Sequence, residues 1–246
     1  MPRTVYIQSD IHGQAYSPSG AVAARGFAFL GYGVKYFLPE DLPGLALTPE
    51  VIVIGGMGTT RVAIERVAGH LPTLAGVPAV LTPYLGRECW RTTPAEVRKA
   101  GRFPVFLKPY QDAKAFTGRV VNTAGEMEAL PALRPNFPAL TDDFPLLASE
   151  PVVFQSEWRV FVLRGRVLGV SHYAGDALLF PTAGTIRRAL GAFSGAPAGY
   201  SADFGVADDG RTLLVEINDG YSLGCGALVA NLYAELLEAR WDEIVG

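Results

Sequence analysis

Asp203, Glu216 and Asn218 are three oxygen-bearing side chains that a single turn can bring together. They lie in the stretch Tyr200 to Gly226, YSADFGVADDGRTLLVEINDGYSLGCG, which reads as two short strands joined at Asp209-Gly210 and followed by a glycine-rich loop. An Asp-Gly pair between alternating apolar runs signals a hairpin, because both central residues of a type I′ turn need positive φ. With a two-residue loop Asp208 faces Arg211, and counting outward sets Asp203 opposite Glu216 and Ser201 opposite Asn218; a four-residue loop gives the same pairing. Alternation then puts Ala202, Phe204, Val206, Leu213, Val215 and Ile217 on an apolar face, and Asp203, Glu216 and Asn218 on the other. Two opposed carboxylates with Cβ atoms about 4.5–5.5 Å apart repel unless a cation or proton lies between them. Hard oxygen donors of this kind suit Mg²⁺. The alternative is an ordinary solvated sheet face. Against it, this face has no Lys or Arg of its own, and Gly205 and Ala207 leave it open.

A second set of chemistry-bearing residues lies upstream. Phe103 to Pro109, FPVFLKP, is an apolar strand interrupted by Lys108, and Arg119-Val120-Val121 returns after the loop YQDAKAFTG. Lys108 either meets a phosphate or runs its stem along a sheet edge with the amine in water. Lys114, Thr117 and Gly118 give the loop a point charge, a hydroxyl and backbone amides, the parts of a phosphate cover. Leu146 to Val153 is an apolar run broken by Ser149, Glu150 and Pro151. Glu157 to Ser171 reads as another hairpin, turning at Arg164-Gly165, with Glu157 and Arg159 on one face and Trp158, Val160 and Val162 on the other. That register sets Val170 opposite Arg159 and His172 near Glu157. Glu157 and Arg159 are then either a solvated pair or part of a site.

Other stretches carry weaker signals. Ser9 to Gly13, SDIHG, resembles the first metal-binding motif of metallophosphoesterases, but His70 and His172 are the remaining histidines and neither lies in a GNH or GHxH context. Gly55-Gly56-Met57-Gly58-Thr59-Thr60 lies between a strand and a helix and either holds an anion on its N–H groups or is a tight turn with Thr59 or Thr60 as N-cap. Cys89 and Cys225 lie far apart and form neither a disulfide framework nor a metal pair; Cys225 is either a nucleophile or a small buried thiol.

The elements that must position these residues follow from the hydrophobic pattern. TVYIQ at 4–8, Val34–Leu38, Val51–Ile54 and Ala79–Leu81 read as strands. Helices are expected from Pro18 to Gly31, with Val22, Phe27 and Leu30 inward, and from Thr60 to about Ala68. This alternation argues for a small parallel sheet covered by helices, ending near Thr82-Pro83. The 246 residues are 49% hydrophobic and 18% charged, enough for one large domain or two small ones. A net charge of −3 and a pI near 5.7, with no basic run, give no electrostatic footprint for nucleic acid. No apolar stretch approaches the roughly 18 residues of a spanning helix, so neither nucleic acid nor membrane is expected as a partner and the expected compartment is the cytoplasm.

In order, LKP (107–109), the loop to Gly118, SEPV (149–152), EWRVF (157–161), and Asp203 with EIN (216–218) resemble the ATP-grasp superfamily over roughly residues 84–246. KAFTG and EINDGYSLG are similar to its small two-arginine, one-lysine clade. The resemblance implies an N-terminal α/β, pre-ATP-grasp, Rossmann-like domain over 1–83. It implies α+β ATP-grasp lobes with antiparallel sheets over 84–246, with a hinge near 149–153. It further implies that ATP and Mg²⁺ are bound. Lys108 contacts the α/β-phosphates; Lys114, Thr117 and Gly118 cover them. Glu150 to Val152 meet adenine, and Glu157 holds the ribose hydroxyls. Arg159 faces the transferring phosphate, and Asp203, Glu216 and Asn218 ligate Mg²⁺. Arg91, Arg187 and Arg188 are candidates for the clade's second arginine.

The activity implied is a ligase that phosphorylates a small-molecule or peptide carboxylate and joins it to an amine or thiol, with Arg159 and Lys108 as catalytic groups. The alternative is a non-catalytic nucleotide-binding regulatory module on the same fold.

Overall fold

The computed structural model describes residues 2–72, 77–110, 116–130 and 140–246. The chain begins with strand β1 (Thr4–Gln8), helix α1 (Pro18–Phe29), β2 (Gly33–Phe37), β3 (Ile52–Ile54) and α2 (Met57–Ala68). The three strands are parallel, in the order β2-β1-β3. The segment expected as a fourth strand, Ala79–Leu81, is instead part of a 3₁₀ turn, Ala79–Tyr84. Pro83 lacks the N–H a ladder needs, and Leu81 is buried against the third sheet rather than this one.

Helix α1 turns the expected side inward, with Phe27 buried and Val22 and Leu30 half-buried against the same core, but Ala23, Ala24 and Gly26 are buried as well. The reason is the C-terminal helix α6 (Ala230–Val245), which crosses α1 so closely that a Cβ on Gly26 would lie 2.0 Å from the Ala230 carbonyl oxygen. Tyr233, Leu236, Leu237 and Trp241 of α6 share one apolar cluster with Val5, Ile7 and Phe27. The front sheet is thus closed by the last element of the chain.

A second sheet, antiparallel and ordered β4-β7-β5-β6, comprises β4 (Cys89–Thr92), β5 (Val105–Pro109), β6 (Arg119–Val121) and β7 (Leu146–Ser149). Helices α3 (Pro94–Ala100) and α4 (Ala124–Glu128) belong to the same part of the chain, and Val97 and Met127 pack with Val105, Leu107 and Leu146 on one face. The other face carries Lys108, with Leu147 and Arg91 beside it in one cross-strand row.

The third sheet, also antiparallel, is ordered β11-β10-β8-β9, from β8 (Phe154–Leu163), β9 (Arg166–Gly175), β10 (Gly199–Ala207) and β11 (Thr212–Asp219). One face packs Val160, Val162, Ala202, Phe204, Leu214 and Ile217 against helix α5 (Ala183–Ala192). The opposite face holds the acidic cluster. Among the described residues no helix is long and apolar enough to cross a membrane.

Candidate active site

The acid pair stands where the sequence places it, but the ladder reaches that register by a different route. Gly210 has φ 82° and Asp209 does not share it; the Ala207 N–H donates to the Arg211 carbonyl and the Gly210 N–H to the Ala207 carbonyl. The loop is therefore the three-residue type closed by a left-handed glycine, not a type I′ pair. It sets Val206 opposite Thr212 and Phe204 opposite Leu214, one residue off the expected count. A β-bulge at Val215 then restores the count, so that Asp203 faces Glu216 and Ser201 faces Asn218. In consequence Leu214, rather than Leu213 and Val215, joins the apolar face.

The cations that this face lacks come from neighbouring strands. Arg159, beside Asp203 on β8, donates from Nε and Nη2 to the two Asp203 carboxylate oxygens at 2.9 and 2.7 Å. Asn218 Nδ2 donates to the same carboxylate at 3.1 Å. Across the cleft Lys108, on the second sheet, donates to Glu216 at 3.1 Å. Burial pushes the Asp203 carboxyl above its usual range, against the pull of Arg159. Burial also acts to raise Glu216, but Lys108, with Asn218 and Arg159, outweighs it and holds this carboxyl below its usual range. The hydrogen bonds to Asp203 hold Arg159 firmly in its charged form. The face is therefore a charge-balanced cluster built from two sheets, not a solvated surface.

The second hairpin turns as expected, with Arg164 and Gly165 both at positive φ (46° and 77°). Its register differs. A bulge at Leu168 sets Arg159 opposite Ser171 instead of Val170, and His172 opposite Trp158 instead of near Glu157. His172 packs edge-on against the Trp158 ring at 4.9 Å. A further slip at Tyr173 turns that residue toward the cluster: its hydroxyl donates to Glu157 at 2.7 Å and its ring lies 5.7 Å from the Arg159 guanidinium. Burial, reinforced by the negative charge of Asp203, raises the Tyr173 hydroxyl far above its ordinary range, so it acts as a donor. No pattern in the sequence marks Tyr173, because two slips of the ladder put it there.

Glu150 to Val152, expected to form a hinge, lie in the connection between β7 and β8. Glu150 accepts from the Glu88 N–H at 3.0 Å and from Arg102 at 3.3 Å. Glu150 and Val152 line a cavity of about 520 Å³ together with Arg87, Trp90, Phe103 and Asp208; Lys108, Arg159, Asp203 and Glu216 lie outside its wall. Of the loop expected to cover phosphates, Lys114 lies outside the described residues. Thr117 is exposed, and Gly118 lies so close to the lysine strand that a Cβ there would be 2.7 Å from the Phe106 ring and 3.1 Å from Lys108 Cβ. Arg91 shares the cleft-facing row of Lys108 and lies 4.1 Å from the Tyr110 ring. Arg187 and Arg188 are exposed on α5, which packs on the other side of the third sheet.

The remaining stretches have local explanations. The Asp10 carboxylate accepts from the N–H groups of His12 and Gln14, closing a loop. Helix α2 starts earlier than expected, so Gly56 is the N-cap and Thr60 lies inside the helix, exchanging hydrogen bonds with the Gly55 backbone. Cys225 is buried, and its N–H donates to Ser19 Oγ.

Asp203, Glu216 and the Asn218 carbonyl are hard oxygen donors on one face, and Mg²⁺ takes a few such ligands while keeping several waters. The donor set therefore fits Mg²⁺. Among the described residues no group of three or more His, Cys, Asp and Glu side chains is arranged to hold a metal; this set is two carboxylates and an amide.

A front parallel sheet followed by two antiparallel sheets that face each other across a lysine and an acid pair is the ATP-grasp fold. The chain belongs to the ATP-grasp domain family 2 of the two-arginine, one-lysine clade, whose profile matches residues 84–236. It matches no curated protein sequence. Among solved structures it is similar to N5-carboxyaminoimidazole synthase from Aspergillus clavatus in complex with ADP and 5-aminoimidazole ribonucleotide (TM-score 0.58, 16% identity, 98% of this chain and 77% of that chain). It is similar to the D-alanine–D-alanine ligase from Bacillus anthracis (TM-score 0.55, 11% identity, 98% and 96%). It is also similar to the ATP-grasp ligase PsnB complexed with a minimal precursor (TM-score 0.54, 13% identity, 98% and 100%). At these identities the likeness concerns the fold.

Proposed function

We propose that the protein is an ATP- and Mg²⁺-dependent ligase that activates a carboxylate as an acyl phosphate and joins it to an amine or thiol. The observation that carries this reading is the convergence of Lys108 and Arg159, from different sheets, on the acid pair Glu216 and Asp203. In this reading ATP supplies the phosphoryl group that makes the carboxylate reactive, and Mg²⁺ offsets the charge of its phosphates. Lys108 exchanges Glu216 for a phosphate, and Thr117 and Gly118, with Lys114, close over it. Glu150 to Val152 receive adenine at the hinge, and Glu157, oriented by Tyr173, holds the ribose. Arg159 meets the charge that develops in transfer, and Asp203 fixes the plane of its fork. Residues 1–83 form the front domain that helps to hold the substrate, and residues 84–246 form the nucleotide-gripping lobes. Ligase neighbours that are bound to a ribonucleotide or to a precursor support a small-molecule or peptide substrate.

Lys108 tests the nucleotide part of this reading. Hydrogen bonds to charged groups contribute roughly 1.5–3 kcal/mol, so Lys108→Ala is expected to weaken Mg-ATP binding about tenfold to a hundredfold. Calorimetry should show a much smaller loss for adenosine, which has no phosphate. Equal losses for both ligands would make Lys108 a structural partner of Glu216 and nothing more.

A further inference from the structure

Arg87 is a charged group inside the molecule to which the proposed chemistry gives no task. It precedes β4, half-buried, with its guanidinium 5.9 Å from the Phe154 ring. Nη1 donates to the carbonyls of Leu85 and Leu214, and Nη2 to the carbonyl of Val215, each at 3.0 Å. Its hydrogen bonds thus end on backbone carbonyls. Leu214 and Val215 are the residues at which the β11 ladder slips between the pairs Phe204–Leu214 and Asp203–Glu216. In a regular strand successive carbonyls point to opposite sides, so one planar fork takes two consecutive ones only where the strand is bulged.

The bulge decides where Glu216 points. The turn registers Val206 with Thr212, Gly205 with Leu213 and Phe204 with Leu214. Continued without the extra residue, that register would set Asp203 opposite Val215 and Glu216 opposite Ala202. Ala202 faces the apolar core, and a slip of one residue sends every following side chain to the other face of the sheet. Glu216 would then point into the core beside Ala202 and Phe204 rather than at Lys108.

We infer that Arg87 is a positioning residue: by binding the Leu214 and Val215 carbonyls it locks the β11 bulge that keeps Glu216 on the cleft face, opposite Asp203. The metal-binding consequence rests on the proposed function; the locking itself does not. Burial lowers the proton affinity of Arg87, opposed by the nearby Cys89, Glu157 and Glu216.

The test compares the parent protein with Arg87→Met and Arg87→Lys by two measurements. One is titration of Mn²⁺ in the presence of ADP, followed by electron paramagnetic resonance. The other is amide hydrogen exchange resolved at Val215 and Glu216. Arg87→Met is expected to weaken Mn²⁺ binding at least tenfold and to speed exchange at Val215 and Glu216, with exchange along Trp158–Val162 unchanged. Lysine keeps the charge but cannot span two carbonyls, so Arg87→Lys should recover less than half of either loss. A merely structural arginine would lower the melting temperature and leave the Mn²⁺ spectrum of the folded fraction as in the parent. Parent-like Mn²⁺ binding and exchange in Arg87→Met, or full recovery in Arg87→Lys, overturns the inference. If Arg87→Met does not fold, Arg87→Lys is compared with the parent directly: weaker Mn²⁺ binding and faster exchange at Val215 and Glu216 support the inference, and parent-like values overturn it. A parent that takes up no Mn²⁺ with ADP defeats the nucleotide reading, while the exchange data still judge the lock.

Discussion

Asp203→Asn is expected to abolish turnover of Mg-ATP and to lower the stability of the protein by about 3–5 kcal/mol, the usual cost of breaking a buried ion pair from one side. Asp203 has no solvent exposure, and both of its carboxylate oxygens accept from Arg159. Asparagine presents an amide N–H₂ where Arg159 and Asn218 already donate, so donors would meet donors. One effect works the other way: burial raises the Asp203 carboxyl above its usual range, and the neutral amide avoids that cost of holding a buried charge. The loss should therefore fall toward the lower end of the range. Urea unfolding measures it, and a midpoint within error of the parent would show that the pair contributes nothing. Glu216→Gln provides the contrast, because Glu216 is more exposed and its partner Lys108 can turn to solvent. It should remove metal-dependent turnover at little cost in stability.

Alternation and the Asp-Gly turn are local, so the juxtaposition of Asp203, Glu216 and Asn218 could be read from the chain. The route to it could not: the glycine-closed turn and the bulge at Val215 each shift the ladder by one residue, and the shifts cancel. On β9 no such cancellation occurs, and the expected partners of Arg159 and Glu157 were displaced. Bulges depend on which carbonyls find donors elsewhere, and the donor at Val215 is Arg87, a residue 128 positions away in sequence. Tyr173 was hidden for the same reason. The parallel front sheet was legible from its alternating pattern, whereas its closure by α6 was not, because a contact between the first and last helices leaves no periodicity to read. Arg91, Arg187 and Arg188 are all candidates in the sequence, the last two most simply helix-surface charges; the sheet order puts Arg91 in the row of Lys108 and the other two on the far side of the third sheet.

That closure supplies the second large effect. Arg240, on α6, donates from Nε and Nη2 to both oxygens of Asp219 at 2.7 and 2.6 Å, and from Nη1 to Glu243 at 2.7 Å. The side chains of Arg240 and Asp219 are 9% and 10% exposed, so removing one leaves the other charged in a place that water hardly reaches. Asp219 directly follows Asn218, so the pair ties the end of β11, the strand that carries Glu216, to the helix that completes the front core. Arg240→Met is expected to cost about 3–5 kcal/mol in urea unfolding, and Arg240→Lys to recover only part of it, since an ammonium cannot pair with both oxygens in one plane. Because Arg240 does not reach the cleft, the fraction of Arg240→Met that remains folded should bind Mg-ADP like the parent. Loss of that binding in the folded fraction would show that the α6 junction shapes the site as well as the core.

If this cluster drives phosphoryl transfer to a carboxylate, as proposed, the most direct measurement is ADP release from Mg-ATP by the parent protein, with and without a mixture of carboxylates and amines, run beside Arg159→Lys. ADP release is expected to depend on an added carboxylate and to fall at least about tenfold in Arg159→Lys, roughly 1.4 kcal/mol of transition-state stabilisation, with Mg-ATP binding little changed. ADP release at background level for every carboxylate, with Mg-ATP still bound, would contradict the proposed transfer and leave a nucleotide-binding module without ligase turnover.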